Sequence, residues 1–87
     1  MTIEDTMKER NRDYGEFLTQ AGIIQGLKEI MRDTPNWNEL SLDKREALDM
    51  IANKIGRILN GNPELHDHWY DIRGYALLIE NTLSRPP

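Results

Sequence analysis

The chain has 87 residues, which is enough for one domain and no more. Its 11 basic and 15 acidic residues give a formal net charge of -4, which disfavours non-specific electrostatic binding to nucleic acid or to an anionic membrane. The absence of cysteine excludes disulfides, zinc ribbons and thiol catalysis, and no stretch approaches the ~20 apolar residues of a membrane span.

Hydrophobic periodicity predicts an all-α fold with three main helices, at about residues 14–33, 42–60 and 65–83. We expect a short N-terminal helical arm at 1–12 and a frayed tail at 84–87. Because a domain of this size buries only about 60% of its unfolded surface, we expect the bundle to be completed by oligomerisation. The sequence therefore indicates a single helical domain that forms a homo-oligomer.

The first main helix carries one apolar face at three- and four-residue spacing. Its apolar positions are Phe17, Ala21, Ile24, Leu27 and Met31. Gly22 and Gly26 follow a neighbouring stripe, where each costs roughly 1 kcal/mol relative to alanine in a helix interior. Close approach of another helix backbone, or of a ligand, would explain both glycines.

The segment after this helix is a break. Pro35 cannot continue the helix, and we expect Trp37 and Leu40 to fold back onto the core. Ser41 is predicted as the N-cap of the next helix, with Asp43 in its first turn.

Each of the last two helices has an apolar face of its own, and a tight turn joins them. Gly61 is predicted as a left-handed C-cap of the helix at 42–60, with Pro63 after it. The apolar face of that helix is Leu48, Ile51, Ile55, Ile58 and Leu59. The last helix carries a seam at Leu65, Trp69, Ile72, Ala76, Ile79 and Leu83. These two helices form an antiparallel hairpin, against which the first main helix packs.

Charged residues flank the hairpin turn on both sides. Lys54 and Arg57 come before it, and Asp67 and Asp71 come after it. In an antiparallel hairpin, residues at similar distances from the turn face each other across the two helices. This predicts contacts of Arg57 with Asp67 and of Lys54 with Asp71. Such pairs either hold the register of the hairpin as salt bridges or form a binding site.

By residue type, the same region suits a nucleotide. Lysine and arginine three residues apart hold phosphates, an aromatic ring stacks on a base, and aspartate accepts hydrogen bonds from a sugar or a base edge. The candidate ligand-binding residues are Tyr14, Lys54, Arg57, Asp67, Trp69, Asp71 and Tyr75. Trp69 and Tyr75 equally suit the core or an interface. We expect His66 and His68 to be solvated, with metal binding beside Asp67 as the alternative.

A second set of residues points to chemistry. Glu46 and Asp49 are three apart on one helix, and Asp13 and Glu16 form a possible facing pair. Carboxylates in this arrangement hold Mg²⁺ and activate water. Glu16, Glu46 and Asp49 are therefore candidate metal ligands, although a solvated charged face has the same pattern. Apart from this alternative, we expect no cofactor.

Three stretches of the sequence carry a resemblance to known proteins. "RNRDYGEF", "KIGRILNGNP" and "HWYDIRGYALLIENTL" resemble a group of small phage and prophage proteins with an Asp-Tyr-Gly, a Lys-x-x-Arg-Ile and an Asp-x-x-x-Asp-Ile-x-Gly-Tyr-Ala motif. The resemblance covers residues 9–83. The order of motifs is also similar to a larger phage group associated with nucleotide modification and, more distantly, to MazG-type pyrophosphohydrolases, in which Asp71 would lie near a metal or base site. Asn53 stands where the larger group carries an acid, which points away from metal hydrolysis.

The resemblance implies an oligomeric, nucleotide-related protein in the cytoplasm of an infected bacterium. Our leading hypothesis is a phage protein that binds a nucleotide or a nucleotide-derived signal in a pocket between subunits. It would sequester an immune messenger and so inhibit anti-phage defence. The alternatives are a Mg²⁺-dependent nucleoside triphosphate pyrophosphohydrolase and a module that inhibits a host protein by docking on it.

Overall fold

The structure is a computed structural model that describes residues 2–14 and 16–83, and the side chains of 2–9 and 16–83. Within these residues it is all-helical, with four α-helices, one short 3-10 helix and no strand. The helices are α1 (Ile3–Tyr14), α2 (Phe17–Arg32), α3 (Leu42–Asn60) and α4 (His66–Glu80), with the 3-10 helix at Trp37–Glu39. The predicted all-α class is confirmed, while the predicted tail at 84–87 lies outside the described residues.

The first helix ends two residues later than the arm that the sequence predicts. A reciprocal cap starts α1, because Thr2 Oγ1 accepts a hydrogen bond from Asp5 N at 3.1 Å and Asp5 Oδ2 accepts one from Thr2 N at 3.3 Å. The helix then continues to Tyr14, so α2 begins at Phe17 and not at residue 14. Asn60 Nδ2 donates to Glu16 O at 2.9 Å, which ties the start of α2 to the end of α3.

The helix α3 is central, because it packs against both α2 and α4. Its predicted bounds are confirmed at Leu42–Asn60. Against α2 it presents small residues, with Ala52 and Gly56 buried. Gly56 lies so close to Ile24 and to the backbone of Gln20 that a side chain there would overlap Ile24. The α2–α3 crossing therefore depends on a glycine that the sequence patterns did not mark.

The helix α4 meets α3 through a face rotated by about one residue from the predicted seam. The residues turned toward α3 are buried or half-buried, namely Leu65, His68, Ile72, Tyr75 and Ile79. Trp69 is 55% exposed instead, and its indole Nε1 donates to Pro63 O in the hairpin turn at 2.8 Å. The expectation that α4 runs to residue 83 is also wrong, since Glu80 is its last residue.

The connection between α2 and α3 folds back as predicted. Trp37 is buried, and Leu40 is half-buried. The guanidinium of Arg32 lies 5.1 Å from the centre of the Trp37 ring. Arg45 Nε donates to Trp37 O at 3.1 Å, and this bond anchors the 3-10 helix to α3.

Three local expectations are not met within the chain. No other helix closely approaches Gly22 or Gly26, where an added Cβ would meet no atom within 4 Å. Gly61 is the C-cap of α3, but its φ of -131° is not left-handed. Phe17, placed on the core face by its spacing, is 72% exposed. By contrast, Ser41 is confirmed as the N-cap of α3 with Asp43 in the first turn, although its hydroxyl donates to Asp43 Oδ1 at 2.5 Å and caps no backbone N–H.

The core of the single chain is small. Among the described residues, the buried hydrophobic side chains are Ile24, Trp37, Ala47 and Ala52. Thirteen large hydrophobic side chains of the described part are exposed, so a single chain leaves much apolar surface uncovered. None of the described helices combines the length and the apolar character needed to cross a bilayer.

Candidate functional site

The predicted pair of Lys54 and Asp71 is formed. Lys54 Nζ lies 2.8 Å from Asp71 Oδ2, and the two side chains are 14% and 39% exposed. This hydrogen bond from Lys54 lowers the pKa of Asp71 below its ordinary value of 3.8. Because the ammonium group of Lys54 is neutralised within the chain, a ligand phosphate would have to share it with Asp71.

A buried histidine lies beside this pair. His68 is 2% exposed, so the expectation that it is solvated is wrong, although His66 is exposed as expected. Burial lowers the pKa of His68 below 6.5, and the positive charges of Lys54 and Arg57 lower it further, against the opposing effect of Asp71 and Asp67. His68 is therefore neutral at pH 7.

The predicted pair of Arg57 and Asp67 is not formed. Asp67 lies in the first turn of α4 with its side chain 86% exposed, and its nearest ionic neighbour is His66 Nδ1 at 3.8 Å. On α3, Arg57 is three residues after Lys54, which turns it about 60° around the helix axis. That rotation directs Lys54 toward α4 and Arg57 toward the groove beside α2.

This groove holds a pocket of about 230 Å³, which we call the α2–α3 pocket. It is lined by Phe17, Gln20, Ala21, Ile24, Gln25, Asn53 and Arg57. Arg57 takes part in no salt bridge among the described residues, and its buried Nε has no hydrogen-bond partner there. The exposed ring of Phe17 stands beside these polar groups, and the bond from Asn60 to Glu16 O holds the start of its helix.

The other predicted ligand residues lie elsewhere. Trp69, in α4, donates a hydrogen bond to Pro63 O in the hairpin turn. Tyr75 is half-buried and lines a separate apolar groove of about 420 Å³ between α3 and α4, which we call the hairpin groove. The side chain of Tyr14 lies outside the described residues. The structure thus brings Lys54 and Asp71 together and places Arg57 in a neighbouring pocket, without assembling the set as one site.

The three candidate metal ligands are not brought together either. Asp49 accepts a hydrogen bond from Arg32 Nη2 at 3.1 Å, whereas Glu46 is exposed and Glu16 precedes α2. The described part of the chain contains no group of three or more His, Asp or Glu side chains that could hold a metal ion.

Sequence reasoning named Arg57 as a ligand-binding residue but missed Gln20, Gln25 and Asn53, the other polar side chains of the α2–α3 pocket. Gln20 is buried between Phe17 and Ile24 at three- and four-residue spacing, so it stands on the core face of α2. Asn53 and Arg57 are four apart on α3 and lie one above the other. A glutamine within an apolar stripe was the available signal, because a buried amide requires hydrogen-bonding partners.

Comparison with known proteins gives no relative for this chain: no protein-family model, no curated protein and no solved structure matches it. The resemblance to phage proteins therefore stays a prediction.

Proposed function

We propose that this chain binds a nucleotide or a nucleotide-derived signal, with Arg57 in the α2–α3 pocket as the phosphate-holding residue. The observation that carries the proposal is that the charged Arg57 forms no salt bridge with a carboxylate of the described residues. Amide side chains and an aromatic ring surround that charge in one pocket. A guanidinium holds phosphate oxygens through two parallel hydrogen bonds, which suits it to this role.

The other lining residues have chemistry that fits the rest of such a ligand. The ring of Phe17 offers an exposed face on which a base stacks, a role assigned from the sequence to Tyr14 or Trp69. Gln20, Gln25 and Asn53 supply amide donors and acceptors for a sugar or a base edge. At about 230 Å³ the pocket is smaller than the ~300 Å³ of typical small-molecule sites, so we expect it to hold one moiety of the ligand.

Binding without turnover is the favoured form of this function. The carboxylates required by the pyrophosphohydrolase alternative do not form a metal-holding group among the described residues. A protein that holds a nucleotide signal without cleaving it lowers the free concentration of that signal. We therefore propose the role of a phage protein that sequesters a messenger of bacterial defence in the host cytoplasm, acting as a homo-oligomer.

The test is a retention assay with purified protein. The protein is incubated with nucleoside triphosphates, cyclic dinucleotides and cyclic ADP-ribose isomers, with and without Mg²⁺, then filtered, and the retained fraction is heated and analysed by chromatography. We expect one compound to be retained and released intact. Arg57→Gln should weaken its retention by roughly 10-fold or more, because the charge that holds the phosphate is lost.

Arg73→Gln is the matched control, because Arg73 is an exposed arginine on α4 that lies outside the α2–α3 pocket. Retention that falls equally in both variants, or that is absent for every compound, would overturn the proposal. A Mg²⁺-dependent product in the filtrate would establish the enzyme alternative instead. Far-UV circular dichroism shows whether each variant keeps the helical content of the parent.

The exposed apolar surface beside the hairpin groove favours the alternative function, in which the chain inhibits a host protein by docking on it. Under that alternative, the groove is reserved for a host protein, so the purified chain is monomeric and retains none of the compounds. Sedimentation and retention together separate the two functions.

A further inference from the structure

The hairpin groove has an almost entirely apolar lining. Its apolar positions include Ala47, Leu48, Ile51, Ala76, Ile79 and Leu83. Three of them are uncovered in the single chain, because Ala76, Leu48 and Leu83 are all exposed. Apolar side chains gathered along one groove favour burial against another surface.

The helix α4 carries two overlapping seams, and only one of them is used within the chain. The first seam faces α3 and includes His68 and Tyr75, which are buried and half-buried. The second seam is one residue further around the helix, and in it Trp69 and Ala76 are exposed, as is Leu83 just after the end of α4. A helix with two such seams is typical of a bundle in which each helix packs against two neighbours.

The accessible surface leaves room for such a contact. The chain exposes 6761 Å² at a mass of 10.2 kDa. A folded monomer of that mass is expected to expose about 5,300 Å², so roughly 1,500 Å² is in excess. The exposed helix α1 supplies part of this excess, and the exposed side chains of α3 and α4 supply another part. A stable protein–protein interface of standard size covers about 800 Å² on each partner, which lies within the excess.

The charges beside the groove suit a second copy of the chain. Lys44 and Glu80 are the two charged residues of its described lining, and their charges are opposite. In a two-fold arrangement the same surface meets itself, which allows the lysine region of one copy to lie against the glutamate region of the other. The charges that line the groove therefore sum to zero on each copy, although each chain carries a formal net charge of -4.

We infer that a second copy of this chain covers the hairpin groove, and that the α3–α4 hairpins of two copies pack into a four-helix bundle. The exposed seam of α4, marked by Trp69 and Ala76, lies in the interface together with Leu83, which follows α4. The inference specifies the face of the proposed oligomer and does not depend on nucleotide binding. Asn53 and Arg57 lie on another side of α3, so the α2–α3 pocket stays open in the dimer.

Sedimentation velocity of the full chain tests this inference. We expect the parent chain to dimerise, and Ala76→Glu to raise the dissociation constant by roughly 100-fold or more, because an unpaired carboxylate would be buried in an apolar interface. Ala76 is exposed in the single chain, and glutamate is a good helix former, so the variant should keep its fold. Leu78→Glu is the matched control, since Leu78 is on the same helix but outside the groove, and its dimer should persist.

A second variant covers the case in which Ala76→Glu loses helical content. Leu83 follows the last residue of α4, so Leu83→Ala removes groove surface without touching a helix interior, and we expect it to weaken the dimer by roughly 10-fold. A parent chain that is monomeric from about 1 µM to about 1 mM would overturn the inference, since an interface of this size should hold in that range. Disruption by Leu78→Glu with no effect of either groove variant would place the interface on another face and overturn it as well.

Discussion

Replacing Gly56 with alanine puts a methyl group where α2 already lies. The new Cβ would overlap Ile24 Cγ1, and it would lie 3.0 Å from Ile24 Cδ1 and 3.7 Å from the carbonyl oxygen of Gln20. Ile24 is 8% exposed and β-branched, so its side chain has few alternative rotamers. The helices α2 and α3 must therefore move apart, or Ile24 must leave its favoured rotamer.

Two opposing effects set the size of the change. Forcing an extra methyl group into a packed contact costs about 1–3 kcal/mol. Alanine is more favourable than glycine in a helix interior by about 1 kcal/mol, which offsets part of this cost. The free energy of unfolding of Gly56→Ala is therefore expected to be lower by about 1 kcal/mol. In a domain of this size that loss lowers the melting temperature by roughly 4–8 °C.

The same substitution at Gly22 provides a control with the opposite sign. Gly22 is inside α2, and an added Cβ would meet nothing within 4 Å, so only the helix-propensity gain of about 1 kcal/mol remains. Thermal melts followed by circular dichroism, at one protein concentration, measure both variants. A melting temperature for Gly56→Ala at or above that of the parent would refute the close α2–α3 crossing. A lowered one for Gly22→Ala would mean that another surface covers α2.

Three further outcomes follow from the contacts beside the hairpin. The free energy of unfolding should fall as the pH drops below about 6.5, because His68 takes up a proton more readily in the unfolded chain than in the folded one. In a His68→Gln variant, the urea midpoint should depend less on pH. In Lys54→Met the pKa of Asp71 should rise toward 3.8 in an NMR titration, and the stability that the pair adds above that pH should be lost. Arg45→Met removes two hydrogen bonds to the backbone of the 3-10 helix and should cost about 1–2 kcal/mol in urea unfolding, whereas an unchanged midpoint would show that Trp37 holds this segment alone.

The features that the sequence predicts correctly have local causes. The bounds of α3 follow from the break before Ser41 and the Gly-Asn-Pro turn after Asn60, both of which are readable from turn chemistry. The return of Trp37 to the core follows from a large apolar residue in a short polar connection. The pair of Lys54 and Asp71 follows from counting residues outward from the turn of an antiparallel hairpin.

The rotation of α4 could not be read from hydropathy. Hydrophobic spacing predicts that Trp69 packs against α3 and that His68 faces solvent, because tryptophan is the more apolar residue. In the structure the indole N–H finds an acceptor in Pro63 O, while His68 is buried between α4 and α3. Both outcomes depend on polar groups at the turn, which periodicity does not describe.

The direction of Arg57 was missed for a different reason. The sequence grouped Arg57 with Lys54 because both precede the same turn. The two side chains are three residues apart on α3 and therefore point in different directions. Arg57 points into the α2–α3 pocket, which lies beside the close approach of α2 to α3 at Gly56. That crossing is a long-range contact, so no local pattern around Arg57 indicates which helix it faces.

The central position of α3 separates the two proposed interactions. Its polar side, with Asn53 and Arg57, borders the α2–α3 pocket, whereas Leu48 and Ile51 border the hairpin groove. A two-fold bundle formed through the groove would leave one α2–α3 pocket accessible on each chain, so the proposed dimer would hold two ligands and not one. The sequence had suggested a pocket shared between subunits. The geometry favours the opposite division, in which each chain binds its own ligand and the apolar groove serves assembly.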